Sequence, residues 1–275
     1  MAAHYSEEEC RQEFYCLRER FESFPRFTPV EIRFLDFTFN VPDALSFVYQ
    51  FRDIFWYEVY RFDSGAGLST VPGAILDCGA NVGLSALWFG INYPGLPLVA
   101  YEPDPVLGGY LTENIAANSD CGASPGVEIR HEAVMDAACS ALFLSDGADG
   151  GRVVGERAHG GPGTIIEVPT VRLRDELLAR GPVSLLKLDV EGAEECLAVD
   201  CSDTLALAAN IFIEYHAFKD RPQSLDTILS VLRGAGFRYY VENIRKRRHP
   251  FLYDDPAETM DLQLNIYARH LPAGA

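Results

Sequence analysis

Apolar positions change period along the chain, and those changes divide it. Cys10, Phe14, Leu17, Phe21 and Phe24 are spaced 4, 3, 4 and 3 apart, which puts one apolar stripe on a helix; Pro25 and Pro29 end it. Residues 32–39 have the aromatic and β-branched content and partial alternation of a strand, closed by Pro42. From residue 71 onward, short apolar runs alternate with helical segments, as βαβ units do. Strands are expected at 74–78, 98–102, 127–134, 141–144, 164–170, 183–189, 210–215, 237–242 and 262–269. Helices are expected at 83–90, 105–118, 173–180, 192–199 and 224–235. The last two strands lack an intervening helix, and a direct return favours antiparallel pairing. The Gly-rich, polar stretch 145–163 reads as a mobile surface loop. This divides the chain into an N-terminal extension, 1–70 (helix plus strand), and an α/β domain, 71–271. The aromatic stripe of the extension predicts an accessory core face, a cap over a ligand pocket, or the contact of a homodimer.

Composition narrows the class. With 48% hydrophobic and 23% charged residues in 275, the chain suits a globular enzyme, and no apolar run reaches the ~18–20 residues of a membrane span. The first residues, MAAHYSEEEC, carry acids where a secretory leader carries Lys or Arg, so a cytoplasmic location is the default. Seven cysteines, odd in number and without a Cys-x-x-Cys pair, argue against a disulfide framework and a zinc cage. A net charge of −17 opposes nucleic acid and anionic membranes as partners.

The strongest local signal is Ala74-Ile75-Leu76-Asp77-Cys78-Gly79-Ala80-Asn81-Val82-Gly83-Leu84, an apolar strand entering a glycine turn and then a helix. Gly79 and Gly83 permit a tight turn and close approach of a ligand, and the helix start offers unpaired N–H groups. Glu102 ends the next strand 23 residues after Gly79, near the ~20-residue offset at which an acid reaches a ribose diol. The Gly-x-x-x-Gly spacing lacks the Gly-x-Gly-x-x-Gly that brings backbone onto a pyrophosphate, which weighs against a nicotinamide-dependent oxidoreductase. S-adenosylmethionine, with a ribose and a charged methionine tail but no pyrophosphate, fits the turn better.

Three strings carry a family resemblance: Ile75 through Gly83, Tyr101-Glu102-Pro103-Asp104-Pro105, and Leu185-Leu186-Lys187-Leu188-Asp189-Val190-Glu191-Gly192-Ala193-Glu194. Together with Asp53-Ile54-Phe55, Tyr60 and Ile213-Glu214-Tyr215-His216, the chain resembles the FkbM family of methyltransferases over about residues 50–270. The resemblance implies a Rossmann-like class I α/β fold whose seven-stranded, mostly parallel sheet has a late antiparallel strand. It also implies S-adenosylmethionine as cofactor and, commonly, O-methylation of a hydroxyl on a sugar or natural product, with N-methylation or a non-catalytic binding module as alternatives.

On this reading Asp77 and Gly79 shape the methionine pocket, and Asn81 and Gly83 stand at the helix entrance. Glu102, with Pro103 beside it, takes the ribose; Glu132 and Ala133 lie by the adenine. Asp189 points to the sulfonium and the acceptor, and Lys187 pairs with a neighbouring acid. Period two puts Glu214 and His216 on one side of their strand, and an ordinary pKa of ~6.5 suits His216 as general base. Glu191 either contacts the acceptor or favours the following helix dipole. Asp189, Glu191, Glu214 and His216 would also suit Mg²⁺, but nothing in their spacing demands it, so no metal is expected. Arg245 and Arg247 belong to a basic run expected to attract an anionic small-molecule acceptor, or simply to solubilise the surface.

Overall fold

The computed structural model describes residues 5–62, 73–119, 126–148, 150–154, 163–245, 249, 252 and 259–270. Helix α1 (Glu7–Phe21) starts at a capping box: Glu9 N–H donates to Ser6 Oγ and Ser6 N–H to Glu9 Oε2. It buries Cys10, Phe14, Leu17 and Phe21, the stripe read from the sequence. Residues 32–39 are not one strand. They span a hairpin of β1 (Val30–Phe34) and β2 (Phe37–Val41), which turns where Leu35 takes the left-handed φ of +47°. Helix α2 (Ala44–Phe51), capped by Asp43, continues into a π-helical turn at Arg52–Trp56.

The βα alternation follows with β3 (Ala74–Cys78), α3 (Leu84–Asn92), β4 (Leu98–Tyr101), α4 (Pro105–Ala117) and β5 (Val127–Arg130). Next come β6 (Ala133–Met135), β7 (Ser140–Ser145), β8 (Arg152–Val154), β9 (Thr164–Arg172) and α5 (Leu173–Arg180). The chain ends with β10 (Val183–Leu188), α6 (Glu194–Asp200), β11 (Asn210–Phe218), α7 (Leu225–Gly234), β12 (Phe237–Asn243) and β13 (Met260–His270). The seven-stranded sheet has the order β12-β13-β11-β10-β3-β4-β5, with β13 antiparallel to both neighbours and the remaining pairs parallel. This is the Rossmann-like α/β sheet with a late antiparallel strand.

Two corrections concern its flank. The expected strand 127–134 is broken at His131–Glu132: β5 stays in the main sheet, while β6 leaves it to pair with β9. Strands β6, β9, β7 and β8 form a separate four-stranded sheet, so 141–144 and 164–170 are not main-sheet strands. The stretch 145–163 is not loop throughout. It holds β8, and the Ala148 carbonyl accepts a hydrogen bond from Asn81 Nδ2 (3.3 Å); residues 149 and 155–162 lie outside the described residues. Among the described residues no helix is long and apolar enough to cross a membrane.

One hydrophobic core runs without a break from α1, the hairpin and α2 onto one face of the main sheet. Within it Phe34 meets the rings of Phe37, Phe39, Phe47, Phe51 and Phe55 at 5.1–6.0 Å. Polar side chains complete the joint. Asn118 on α4's C-terminus and Asn114 one turn earlier act like a strand toward β2: Oδ1 of each accepts from Thr38 N–H or Asn40 N–H, and Nδ2 donates to the matching carbonyl. Asn114 Nδ2 also donates to the Val82 carbonyl of the glycine turn (2.9 Å). Asn114→Leu removes all three bonds of that side chain, and urea denaturation should show a loss of about 2–3 kcal/mol; an unchanged midpoint would mean the bridge contributes nothing.

Candidate active site

The C-terminal ends of β3, β4, β10 and β11 open into a cavity of about 1560 Å³, which runs between the glycine turn and the π-helical turn of the extension. This is where ligands bind in open α/β sheets.

In the cofactor half, Gly79 (φ +88°) passes so close under the end of β10 that a Cβ would stand 1.9 Å from the Asp189 carbonyl oxygen. Asn81 is also left-handed (φ +51°); its Oδ1 accepts from Val82 N–H at 2.7 Å, which holds the turn. Glu102 is buried where β4 ends. Its two carboxylate oxygens accept from Asp104 N–H and Asn81 N–H, both at 2.9 Å. Burial pushes its pKa up to about 7, against the pull of those two donors.

Beside the glycine turn, three elements converge. Lys187 sits opposite Asp77 in the β3–β10 register, fully buried; Nζ donates to the Gly79 carbonyl (2.7 Å) and pairs with Asp77 (3.1 Å) and Asp189 (3.5 Å). Burial would discharge it, but Asp77 and Asp189 outweigh that and hold its pKa well above the usual value. Asp77 accepts a second bond, from Ser85 Oγ at 2.6 Å. After β10, Glu191 (φ +52°) and Gly192 (φ +99°) curl the backbone, and a Cβ on Gly192 would lie 2.9 Å from the Phe218 ring. The curl brings Glu191 Oε1 to 3.6 Å from His216 Nε2, and Glu214 Oε1 stands 3.5 Å from the same nitrogen. Glu194 Oε1 accepts from Gly192 N–H (3.0 Å) and meets His216 Nδ1 (2.9 Å).

Burial raises the pKa of Asp189 to about 6 and of Glu191 to about 8, helped by the neighbouring carboxylates. Glu214 is held below its usual value despite burial, by His216 and Gln263. Burial disfavours charge on His216, yet Glu191, Glu194 and Glu214 reverse the balance and raise its pKa well above 6.5.

Of the expected cofactor residues, Gly79, Asn81, Glu102, Pro103, Glu132 and Ala133 line the cavity. Glu132 occupies the break between β5 and β6 and is held by Arg130 at 2.6 Å. Asp77 and Gly83 do not line it. Asp77 works from behind through Lys187, and Gly83 caps α3 with a left-handed φ of +97°. Of the residues expected at the reaction centre and acceptor, Asp189, Glu191, Glu214 and Arg245 line the cavity, and Arg247 lies outside the described residues. His216, the expected general base, does not itself line the cavity: its side chain is fully buried behind Glu191 and Glu214, with Glu194 at Nδ1. Ser85 and Glu194 were not singled out. Nothing in the sequence ties Glu194 to a histidine 22 positions away.

Residues 77–239 match the family described as the methyltransferase FkbM domain. The chain is similar to the 31-O-demethyl-FK506 methyltransferase FkbM of Streptomyces tacrolimicus, 27% identical over 219 residues that cover 70% of this chain and 82% of that one. It is also similar to the methyltransferase sdnD of Sordaria araneosa, 28% identical over 226 residues with the same two coverages. Among solved structures, the magnesium protoporphyrin IX methyltransferase of Synechocystis PCC 6803, with bound SAM, aligns at a TM-score of 0.47 and 12% identity, over 98% of this chain and 100% of that one.

The role expected of Glu102, acceptor for the ribose hydroxyls, predicts a pH dependence for cofactor binding. In that role the carboxylate must be ionised, so binding requires the proton to leave a group whose free pKa is about 7. Affinity for S-adenosylhomocysteine should therefore weaken as pH falls below 7, by up to about tenfold per unit. Glu102→Gln should bind more weakly and lose that slope in calorimetry from pH 5.5 to 8. A wild-type affinity that is flat over this range contradicts the assignment.

Proposed function

The chain belongs to the FkbM family of S-adenosylmethionine-dependent methyltransferases, and from that premise we propose that it methylates a hydroxyl oxygen on a sugar or natural-product small molecule. The observation that carries this reading is the set of carboxylates Asp189, Glu191 and Glu214 in the lining of a cavity that aromatic residues of the extension also line. Carboxylates accept hydrogen bonds from hydroxyls, and aromatic faces pack on the apolar faces of a ring. An amine held by the same carboxylates would stay protonated and have no lone pair for attack, which supports oxygen over nitrogen as nucleophile. An anionic acceptor gains little from these carboxylates; Arg52, Arg152 and Arg245, which also line the cavity, are groups that would favour one.

In the proposed reaction the acceptor oxygen attacks the methyl carbon in line with the carbon–sulfur bond. That bond breaks with its electron pair going to sulfur, S-adenosylhomocysteine forms, and the hydroxyl proton passes to Asp189. Glu214 orients the acceptor, while His216 is a positioning residue that fixes Glu191 and Glu214. Most of the acceleration comes from alignment and exclusion of water, with proton removal adding about 10²–10⁴-fold.

The reading is tested with a panel of hydroxylated and amine-bearing natural products and S-adenosylmethionine carrying a ¹³C methyl. The expected product holds its label on oxygen, identified by its NMR shift; label on nitrogen would overturn the reading. Glu214→Gln should lower kcat by about 10²-fold or more, leaving affinity for S-adenosylhomocysteine within about threefold.

A further inference from the structure

We infer that Asp189, Glu214 and His216 form a site for a divalent first-row metal ion beside the acceptor, with Glu191 placed to close on the same ion. Its catalytic meaning rests on the methyl-transfer reading; its existence does not.

One ligand atom from each of the three residues lies within 4.8 Å of the others. Around an ion with bonds of about 2.1 Å, neighbouring octahedral ligands stand about 3.0 Å apart and opposite ones about 4.2 Å. The separations of 3.5 and 3.6 Å from His216 Nε2 to Glu214 and Glu191 reach that geometry with shifts of a few tenths of an ångström. The imidazole is already oriented as a ligand: Glu194 engages Nδ1, as a carboxylate does behind a metal-bound histidine. Nε2 points between the carboxylates, and Gln263 presents an amide nitrogen to it at 3.4 Å.

A second feature points to a missing donor. Asn265 lies directly across the β11–β13 pairing from Glu214. Its side chain is buried at the cavity wall, and its Oδ1 has no hydrogen-bond partner. Water bound to an ion at the cluster would supply one. The charge balance agrees: Glu191, Glu194 and Glu214 crowd His216, while the nearby cation Lys187 is shared among Asp77, Asp189 and the Gly79 carbonyl.

One imidazole with two or three carboxylates suits an ion such as Mn²⁺ better than Ca²⁺, which prefers oxygen alone. Next to the acceptor, the ion would draw electron density from the hydroxyl oxygen and ease loss of its proton as the methyl is transferred.

The full-length chain, stripped with EDTA, is titrated with MnCl₂, and free Mn²⁺ is followed by electron paramagnetic resonance, with and without S-adenosylhomocysteine. One ion per chain is expected. Affinity should fall at least about tenfold in Glu214→Gln and His216→Ala, fall about tenfold in Glu194→Gln, and stay unchanged in the exposed control Glu31→Gln. Circular dichroism melts report folding, and Asp189→Asn replaces any variant that does not fold. Wild type that binds S-adenosylhomocysteine but no Mn²⁺ overturns the site, as does equal Mn²⁺ binding by wild type and the ligand variants. If Mn²⁺ binds as expected but no acceptor is methylated, the site stands and the methylation reading fails.

Discussion

A buried ion pair organises both halves of the cavity. Lys187 and Asp77 face each other across β10 and β3 with almost no solvent contact, and removing one partner of such a pair leaves an uncompensated charge at a cost of about 3–5 kcal/mol. The ammonium also reaches the Gly79 carbonyl and Asp189. It therefore ties the glycine turn to the strand end that carries Asp189, the carboxylate proposed to take the acceptor's proton. Asp77 and Lys187 contribute by holding other groups: the Asp77 side chain does not line the cavity, and its effect reaches the cavity through Lys187.

The acidic cluster beyond Asp189 is a second level of the same arrangement. Glu191 reaches His216 because two successive left-handed residues curl the chain after β10, and Glu194 reaches it from the first turn of α6. Three separate segments thus place carboxylates around one imidazole. Burial and the neighbouring carboxylates raise the cost of ionising Glu191, so a cation at the centre of the group, whether a proton or a metal ion, keeps it together.

The main sheet was legible because its strands are apolar runs between helices with clear starts, and the Gly79–Gly83 turn and Glu102 follow from spacing alone. What the sequence concealed has local causes. The hairpin within 32–39 turns at Leu35, a residue type that gives no turn signal, so the run looks continuous. The break at His131–Glu132 is hidden in the same way, because β6 changes sheets without a glycine or proline. His216 was correctly put on the face of Glu214, and its burial could not be foreseen. The groups packed against it, Glu191 and Glu194, come from a different strand end, and their approach depends on a backbone curl that only coordinates reveal.

The asparagines of α4 have a consequence for anyone recombining such chains. A cut at residue 71 separates the sequence into two textures but passes through one continuous core. The extension, whose residues line the cavity, is riveted by Asn114 of α4 through β2, and the same side chain holds the Val82 carbonyl of the glycine turn. This part of the cavity lining is therefore not a detachable module. A chimaera that exchanges the first 70 residues must carry a matching α4 face, or it will loosen the glycine turn together with the lining it set out to replace.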